Sequence, residues 1–374
     1  MRTTRPFRNG LGFLLLATVL LAAACAPRPV GRTIADLQQL PQDPTVYLNP
    51  ATADRSLLPT DEQQQRTDHF LQQFFAPWQA SAPLETTRKP FWAVDWLRSA
   101  AVYGMNLQQV AESFSEELIA RADLEGYPSL DRKAISLRRC NLRALPTRQP
   151  LFNDPARPGE GFPFDGLQHS ALPANTPLHV THRSADGAWV FVETTQVYGW
   201  LPVTELAWVD TDFMKRFATG HYRVVIFDRV PVVDVDGTFR FQVNIGNLLP
   251  AVSAENPEVL IAIADAQRQA QLVTAQLPVG QSAAFPLVPT QRQIAALAAP
   301  MLGQPYDWGG QLGHRDCSAT LQDLFASFGI WLPRNSSKQA LQGRVIPLLD
   351  LAPAQREQRL LADGVPFQTL VAMP

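Results

Sequence analysis

An α+β, multi-domain fold is what this sequence predicts, and three observations carry the prediction. The chain has 374 residues, more than one hydrophobic core usually organises. Apolar residues recur at three- and four-residue spacing between about Thr60 and Ala122, the period of helices buried on one face. Near Ala134 the pattern changes to short alternating segments broken by turns, and a helical period returns around Cys317. The 32 prolines are spread throughout, which suits many short elements.

Taken in order, the chain begins with Arg2, Arg5 and Arg8, then an apolar run from Leu11 to Ala24 that stops at Cys25. The run is short for a membrane span and has the layout of a signal peptide, residues 1–24. Leu21-Ala22-Ala23-Ala24-Cys25 resembles a bacterial lipobox, which implies cleavage before Cys25 and a lipid on that cysteine. Ala26 follows, where an aspartate would by resemblance imply inner-membrane retention. The expected location is the bacterial periplasm, lipid-anchored at the outer membrane. Residues 25–59, rich in Pro, Gln, Asp and Thr, read as a tether.

A helical module is expected over residues 60–133. One helix starts at Thr60-Asp61-Glu62 and carries Phe70, Leu71, Phe74 and Phe75 on a face. A second runs from about Phe91 to Tyr103 and a third from Asn106 to about Ala122. These aromatics are core residues in this reading. Two β units follow. In the first, 134–208, Leu178–His182 and Trp189–Val192 flank the turn Ser184-Ala185-Asp186-Gly187, and Tyr198-Gly199-Trp200-Leu201-Pro202 closes the unit. In the second, 209–287, the segments around Val224, Val232, Phe241, Ile261 and Leu272 read as successive strands.

The stretch from Gly303 to Gln339 carries the chemistry. Leu321, Leu324, Phe325 and Phe328 mark a helix face, Asp316 is a good N-cap, and Gly329 ends the pattern. Cys317 therefore falls at the first turn of a helix, where unpaired N–H groups and the positive dipole end favour a thiolate. Gly309, Gly310 and Gly313 precede it in an irregular loop.

Tyr306-Asp307-Trp308-Gly309-Gly310, Asp316-Cys317-Ser318 and Pro333-Arg334-Asn335-Ser336-x-x-Gln339 closely resemble the NlpC/P60 family of cell-wall cysteine peptidases, whose common forms read P-Y-x-W-G-G, D-C-S and P-R-x-S-x-x-Q. The Asp-Gly-x-Trp and Gly-Trp-Leu-Pro elements resemble bacterial SH3 domains. The whole order, a helical arm, two SH3-like β-barrels and a papain-like NlpC/P60 module over 288–374, is similar to a lipoprotein subgroup of that family. The resemblance implies Cys317 as nucleophile and Tyr306 beside the oxyanion. It implies Asp316 and Ser318 as groups that help recognise the free amino end of the peptide, although capping alone also explains Asp316, and Ser336 as a residue of the substrate groove. Asp307 stands where a glycine is frequent. The implied reaction is hydrolysis of the γ-D-glutamyl–diamino-acid bond in peptidoglycan stem peptides.

One part of the family pattern is absent. None of the six histidines, His69, His169, His179, His182, His221 and His314, follows Cys317, where the family places its base. The resemblance thus implies a module cut short at Pro374 and impaired in catalysis, with a wall-binding protein acting through its SH3-like domains as the alternative and acyl transfer as another. His314 precedes the nucleophile on the glycine-rich approach and reads as a solvated loop residue. The three cysteines leave only Cys140 unassigned, so neither a disulfide framework nor a cysteine-rich metal site is expected, and no cofactor is implied. A net charge of −2 gives no reason to expect a nucleic-acid partner. The expected partners are stem peptides or muropeptides and, through Cys25, the membrane.

Overall fold

The computed structural model of the protein describes residues 39–84, 89–254 and 256–372. The expected signal segment and Cys25 lie outside them. Helix α1 (Thr60–Gln79) packs against both β units and the C-terminal module. Phe70 packs on Phe285 and Trp331 with ring centroids 5.4 Å away in both cases, Phe75 packs on Tyr222, and Trp78 donates its indole N–H to the Ala134 carbonyl at 2.8 Å. A buried aromatic of this kind contributes about 1.5–3 kcal/mol, so the expected aromatic face works as the common core of several units.

Helices α2 (Trp92–Ser99) and α3 (Glu112–Ala122) are shorter than their periodicity suggested. Between them the chain doubles back, Tyr103 bridging Gln109, with Leu107 at φ 61°. The side chain of Asn106 accepts the Gln108 N–H at 3.1 Å and so favours a turn where a helix was expected.

Seven antiparallel strands form the first sheet: β1 (Arg132–Ser136), β2 (Cys140–Arg143), β3 (Gln168–Leu172), β4 (Pro177–Arg183), β5 (Trp189–Glu193), β6 (Tyr198–Pro202) and β7 (Leu206–Trp208), in the order β3-β2-β6-β5-β4-β1-β7. Strand β5 is buried along its whole length because each face has a partner. Val190 and Val192 join Leu178 and Leu201 on one side, while Phe191 and Trp200 meet Val94, Leu97 and Leu118 of the helices on the other. Strand β3 is an edge, and it faces the C-terminal module.

Helix α4 (Thr211–Phe217) leads into a second β unit. It holds β8 (Tyr222–Val225), β9 (Val230–Asp234), β10 (Phe239–Val243), β11 (Leu248–Pro250), β12 (Val259–Ala264), β13 (Ala270–Gln276) and β14 (Ser282–Ala284), split into sheets β10-β9-β13-β12 and β11-β8-β14. Val225, Val232, Phe241 and Ile261 fill its interior. The C-terminal module carries α5 (Gln291–Ala298), α6 (Cys317–Ala326), α7 (Ser336–Gln339) and α8 (Pro353–Asp363). The helical N-terminal region, SH3-like β units and mixed C-terminal module agree with the α+β expectation.

The expected tether differs where it is described. Leu57 donates its N–H to the Pro289 carbonyl at 2.8 Å, Arg292 pairs with Asp54 at 2.7 Å, and Ala53 is buried. Asp43 caps a short turn and Leu57 joins Ile294 and Leu297, so this stretch packs on α5. Polar composition hid a few well-placed apolar residues. Among the described residues no helix is long and apolar enough to cross a membrane.

Candidate active site

Asp316 starts α6. Its backbone is extended and its Oδ1 accepts the Ala319 N–H at 2.8 Å, so it is the N-cap and Cys317 the first helical residue. The Cys317 side chain is exposed at the end of the helix that presents free N–H groups. Gly329, beyond the helix end at φ 71°, lies so close to α1 that a Cβ there would meet Thr67 Oγ1 at 2.5 Å.

Tyr306 is exposed and lies beside Cys317. Partial burial and the nearby Cys317 and Asp316 raise its pKa above the ordinary phenol range, so it keeps its proton. Asp307, the departure from the family form, organises the loop. It is buried, and its Oδ2 accepts the N–H groups of Leu312 at 2.7 Å and His314 at 2.9 Å.

The Trp-Gly-Gly run is pressed against β3. Trp308 donates its indole N–H to the Asp165 carbonyl at 3.1 Å. Gly309 and Gly310 have φ of 60° and 71°, and a Cβ would come within 2.7 Å of Gln168 Cγ and 2.6 Å of Arg139 Nη2 respectively. Gln168 Nε2 donates to the Gly309 carbonyl at 3.1 Å, and Arg139 Nη2 to the carbonyls of Gly310 and His314 at 3.1 and 3.0 Å.

Two arginines hold the Cys317 turn, and neither had been assigned a role from the sequence. Arg334 donates from Nη2 to Asp316 Oδ2 at 2.6 Å, from Nη1 to Asp316 Oδ1 at 3.1 Å and Ser318 Oγ at 2.8 Å, and from Nε to Ser170 Oγ of β3 at 2.8 Å. Asp316 and Ser318 are therefore engaged inside the protein, and both are buried. Arg315 pairs with Asp228 of the second β unit at 2.6 Å and with Asp323 of α6 at 2.6 Å. Burial alone would lower the Arg315 pKa, but its bonds to Asp228 and Asp323 outweigh it and hold the guanidinium charged. Arg334 stands inside the quoted Pro-Arg-x-Ser motif, so it had a signal; Asp228 had none.

Ser336 is exposed at the start of α7, whose N-cap is Asn335. The Gln339 of the same motif is buried and donates to the carbonyls of Ser318 at 2.9 Å and Pro333 at 2.7 Å, which locks α7 to α6. No histidine among the described residues hydrogen-bonds Cys317. His179 and His182 are buried in β4, the first against Asp131 and the second against Ser129, and His169 faces the Tyr198 carbonyl. Cys140 is buried, and burial with the nearby Glu205 raises its thiol pKa well above the ordinary value. No group of three or more acidic, histidine or cysteine side chains among the described residues could hold a metal ion.

Three family models match the chain. The NLPC_P60 stabilising domain, N term, covers residues 13–127, the SH3 domain (SH3b1 type) 150–202, and the NlpC/P60 family 303–355. The chain is 29% identical over 117 residues to the gamma-D-glutamyl-L-lysine dipeptidyl-peptidase of Bacillus subtilis (strain 168). That match takes in 31% of this chain and 38% of the relative, so the chain spans under two fifths of the relative's length. The fold is similar to that of a novel NlpC/P60 endopeptidase from Photobacterium damselae subsp. piscicida, with a TM-score of 0.72, 24% identity, and coverage of 80% of this chain and 70% of that one. Tyr306, Cys317, Arg334 and Ser336 all fall inside the NlpC/P60 range.

Proposed function

Because the chain carries an NlpC/P60 module behind an SH3 domain and the N-terminal domain of such proteins, we propose that it is a cysteine-type peptidoglycan hydrolase acting on the γ-D-glutamyl–diamino-acid bond of stem peptides. The observation that carries this reading is the exposed Cys317 at the first turn of α6 with Tyr306 beside it. The thiolate attacks the carbonyl carbon of the bond. The oxygen that becomes negative is taken by the Cys317 N–H and the Tyr306 O–H, the C–N bond breaks as the leaving amine takes a proton from water, and a second water then hydrolyses the thioester, releasing the acid and the Cys317 thiol. The γ-D-glutamyl bond in the name of the Bacillus subtilis relative supports the choice of substrate. Asp316 and Ser318 serve this reaction by holding the turn with Arg334.

The SH3 domain match over residues 150–202 favours a second reading, a wall-binding protein that acts through its SH3-like units. Release of dipeptide and tripeptide from purified muropeptides decides between them. Cleavage lost in Cys317→Ala supports the hydrolase; cleavage unchanged in Cys317→Ala removes it, and binding without any cleavage supports the second reading. The Leu-Ala-Ala-Ala-Cys run supports lipid attachment at Cys25 and a periplasmic, membrane-held protein. Labelled fatty acid should enter the wild type and not Cys25→Ser.

A further inference from the structure

We infer that Asp228, in the second β unit, is the positioning residue for the Tyr306–Cys317 pair. The β unit it belongs to lies outside the three matched ranges, and its contact with the catalytic loop is built from both ends of that loop. The Asp228 carboxylate accepts four hydrogen bonds. Oδ2 takes Gln304 Nε2 at 2.7 Å and Arg315 Nη1 at 2.8 Å; Oδ1 takes Arg315 Nη2 at 2.6 Å and the Ile245 N–H at 3.1 Å. Gln304 precedes Tyr306 by two residues, and Arg315 precedes Cys317 by two. One carboxylate thus fastens the loop on either side of Tyr306, and the two ends are joined directly, Tyr306 bridging Arg315 and the Asp307 N–H bonding the Arg315 carbonyl at 3.0 Å.

The anchor itself does not give. Ile245 belongs to the turn before β11 and packs with Leu324 of α6 and with Phe328 just beyond it. Gly246 has φ 83°, and a Cβ there would lie 2.2 Å from the Asp323 carbonyl oxygen, so this turn rests backbone to backbone on the nucleophile helix. Burial pushes the Asp228 carboxyl up, yet Arg315 and Gln304 hold it below its usual range, which keeps it an acceptor on all four contacts. A bidentate arginine–carboxylate pair fixes direction as well as distance, and a positioning contact needs both.

The inference rests on the reading of Cys317 as nucleophile with Tyr306 as its donor, and its test does not require turnover. The alkylation rate of Cys317 by iodoacetamide, read by mass spectrometry, is compared in the wild type, Tyr306→Phe, Asp228→Asn and the double variant of the full chain. In the wild-type background Tyr306→Phe slows alkylation roughly fivefold, the worth of one hydrogen bond. In the Asp228→Asn background that effect falls to less than about twofold, because the phenol is no longer held on the sulfur. A Tyr306→Phe effect of equal size in both backgrounds, zero included, overturns the inference, since a merely structural Asp228 would lower the unfolding temperature and leave the pair intact. If Asp228→Asn fails to fold, Gln304→Leu releases only the Tyr306 end of the loop and carries the same expectation and the same refutation. Muropeptide cleavage by the wild type tests the peptidase reading separately.

Discussion

Removing the Arg334 side chain should expose how much of the nucleophile turn depends on charge. Arg334 makes four hydrogen bonds, at 2.6, 2.8, 2.8 and 3.1 Å, and three of them end on Asp316 or Ser318. Its ion pair with Asp316 is largely screened from water, the two side chains being 12% and 11% exposed. Deleting one partner of a buried pair costs about 3–5 kcal/mol. Asp316 retains the Ala319 N–H, the Ser318 hydroxyl and the helix dipole, which bring the expected loss for Arg334→Ala down to about 2–4 kcal/mol. Most of that is the cost of a stranded carboxylate, so Asp316→Asn in the Arg334→Ala background should recover part of it, although Asp316→Asn alone destabilises. Arg334→Lys should fall between, since an ammonium cannot reach Asp316, Ser318 and Ser170 with a planar fork. The assay is urea unfolding followed by tryptophan fluorescence for the four variants. A loss below about 1 kcal/mol for Arg334→Ala, or strict additivity with Asp316→Asn, would refute the reasoning.

Two further outcomes follow from the same structure. Gly309→Ala places a non-glycine residue at φ 60° and a Cβ 2.7 Å from Gln168 Cγ, so it should cost at least about 1–2 kcal/mol from the backbone alone and loosen the loop from β3, read as a lower unfolding midpoint and faster proteolysis between Tyr306 and Arg315. Burial lowers the His169 pKa below its usual 6.5, against the upward pull of the Tyr198 carbonyl. The folded state then binds fewer protons than the unfolded chain, so its contribution to stability is present above pH 6.5 and lost as the pH falls below it; His169→Gln should flatten that part of the stability–pH curve measured by urea unfolding.

What could be read in advance was whatever is local. The cap at Asp316, the helix face through Leu324 and Phe328, the stop at Gly329 and the Ser184–Gly187 turn depend on residues within a few positions of each other, and each was legible. Where local signals competed, the reading failed: Asn106 spoke for a turn inside an apparent helical period, and Leu57 spoke for packing inside a polar stretch. The partners of the active loop were not legible at all. Arg334 reaches Ser170 across 164 positions, Arg139 reaches Gly310 across 171, and Arg315 reaches Asp228 across 87. Nothing in the composition around Asp228 or Gln168 distinguishes them from other surface-capable polar residues.

The reliance of the active loop on other units has a physical source. The stretch from Gln304 to Arg315 holds three glycines at positive φ and little regular structure, so alone it would sample many conformations. A nucleophile and its donor act only when held in one of them. Asp307 supplies part of the order from within by binding the Leu312 and His314 N–H groups. The rest comes from side chains of the β units: Gln168 and Ser170 on the edge strand β3, and Asp228 in the loop between β8 and β9. An edge strand presents groups in a fixed register, which makes it a better support for a loop than another loop would be. Arg334 uses this toward β3, while Arg315 reaches the β8–β9 loop at Asp228, and the guanidinium is suited to both because a single rigid plane can bind two elements at once. The β units are then structural parts of the active site, whatever ligands their own surfaces take.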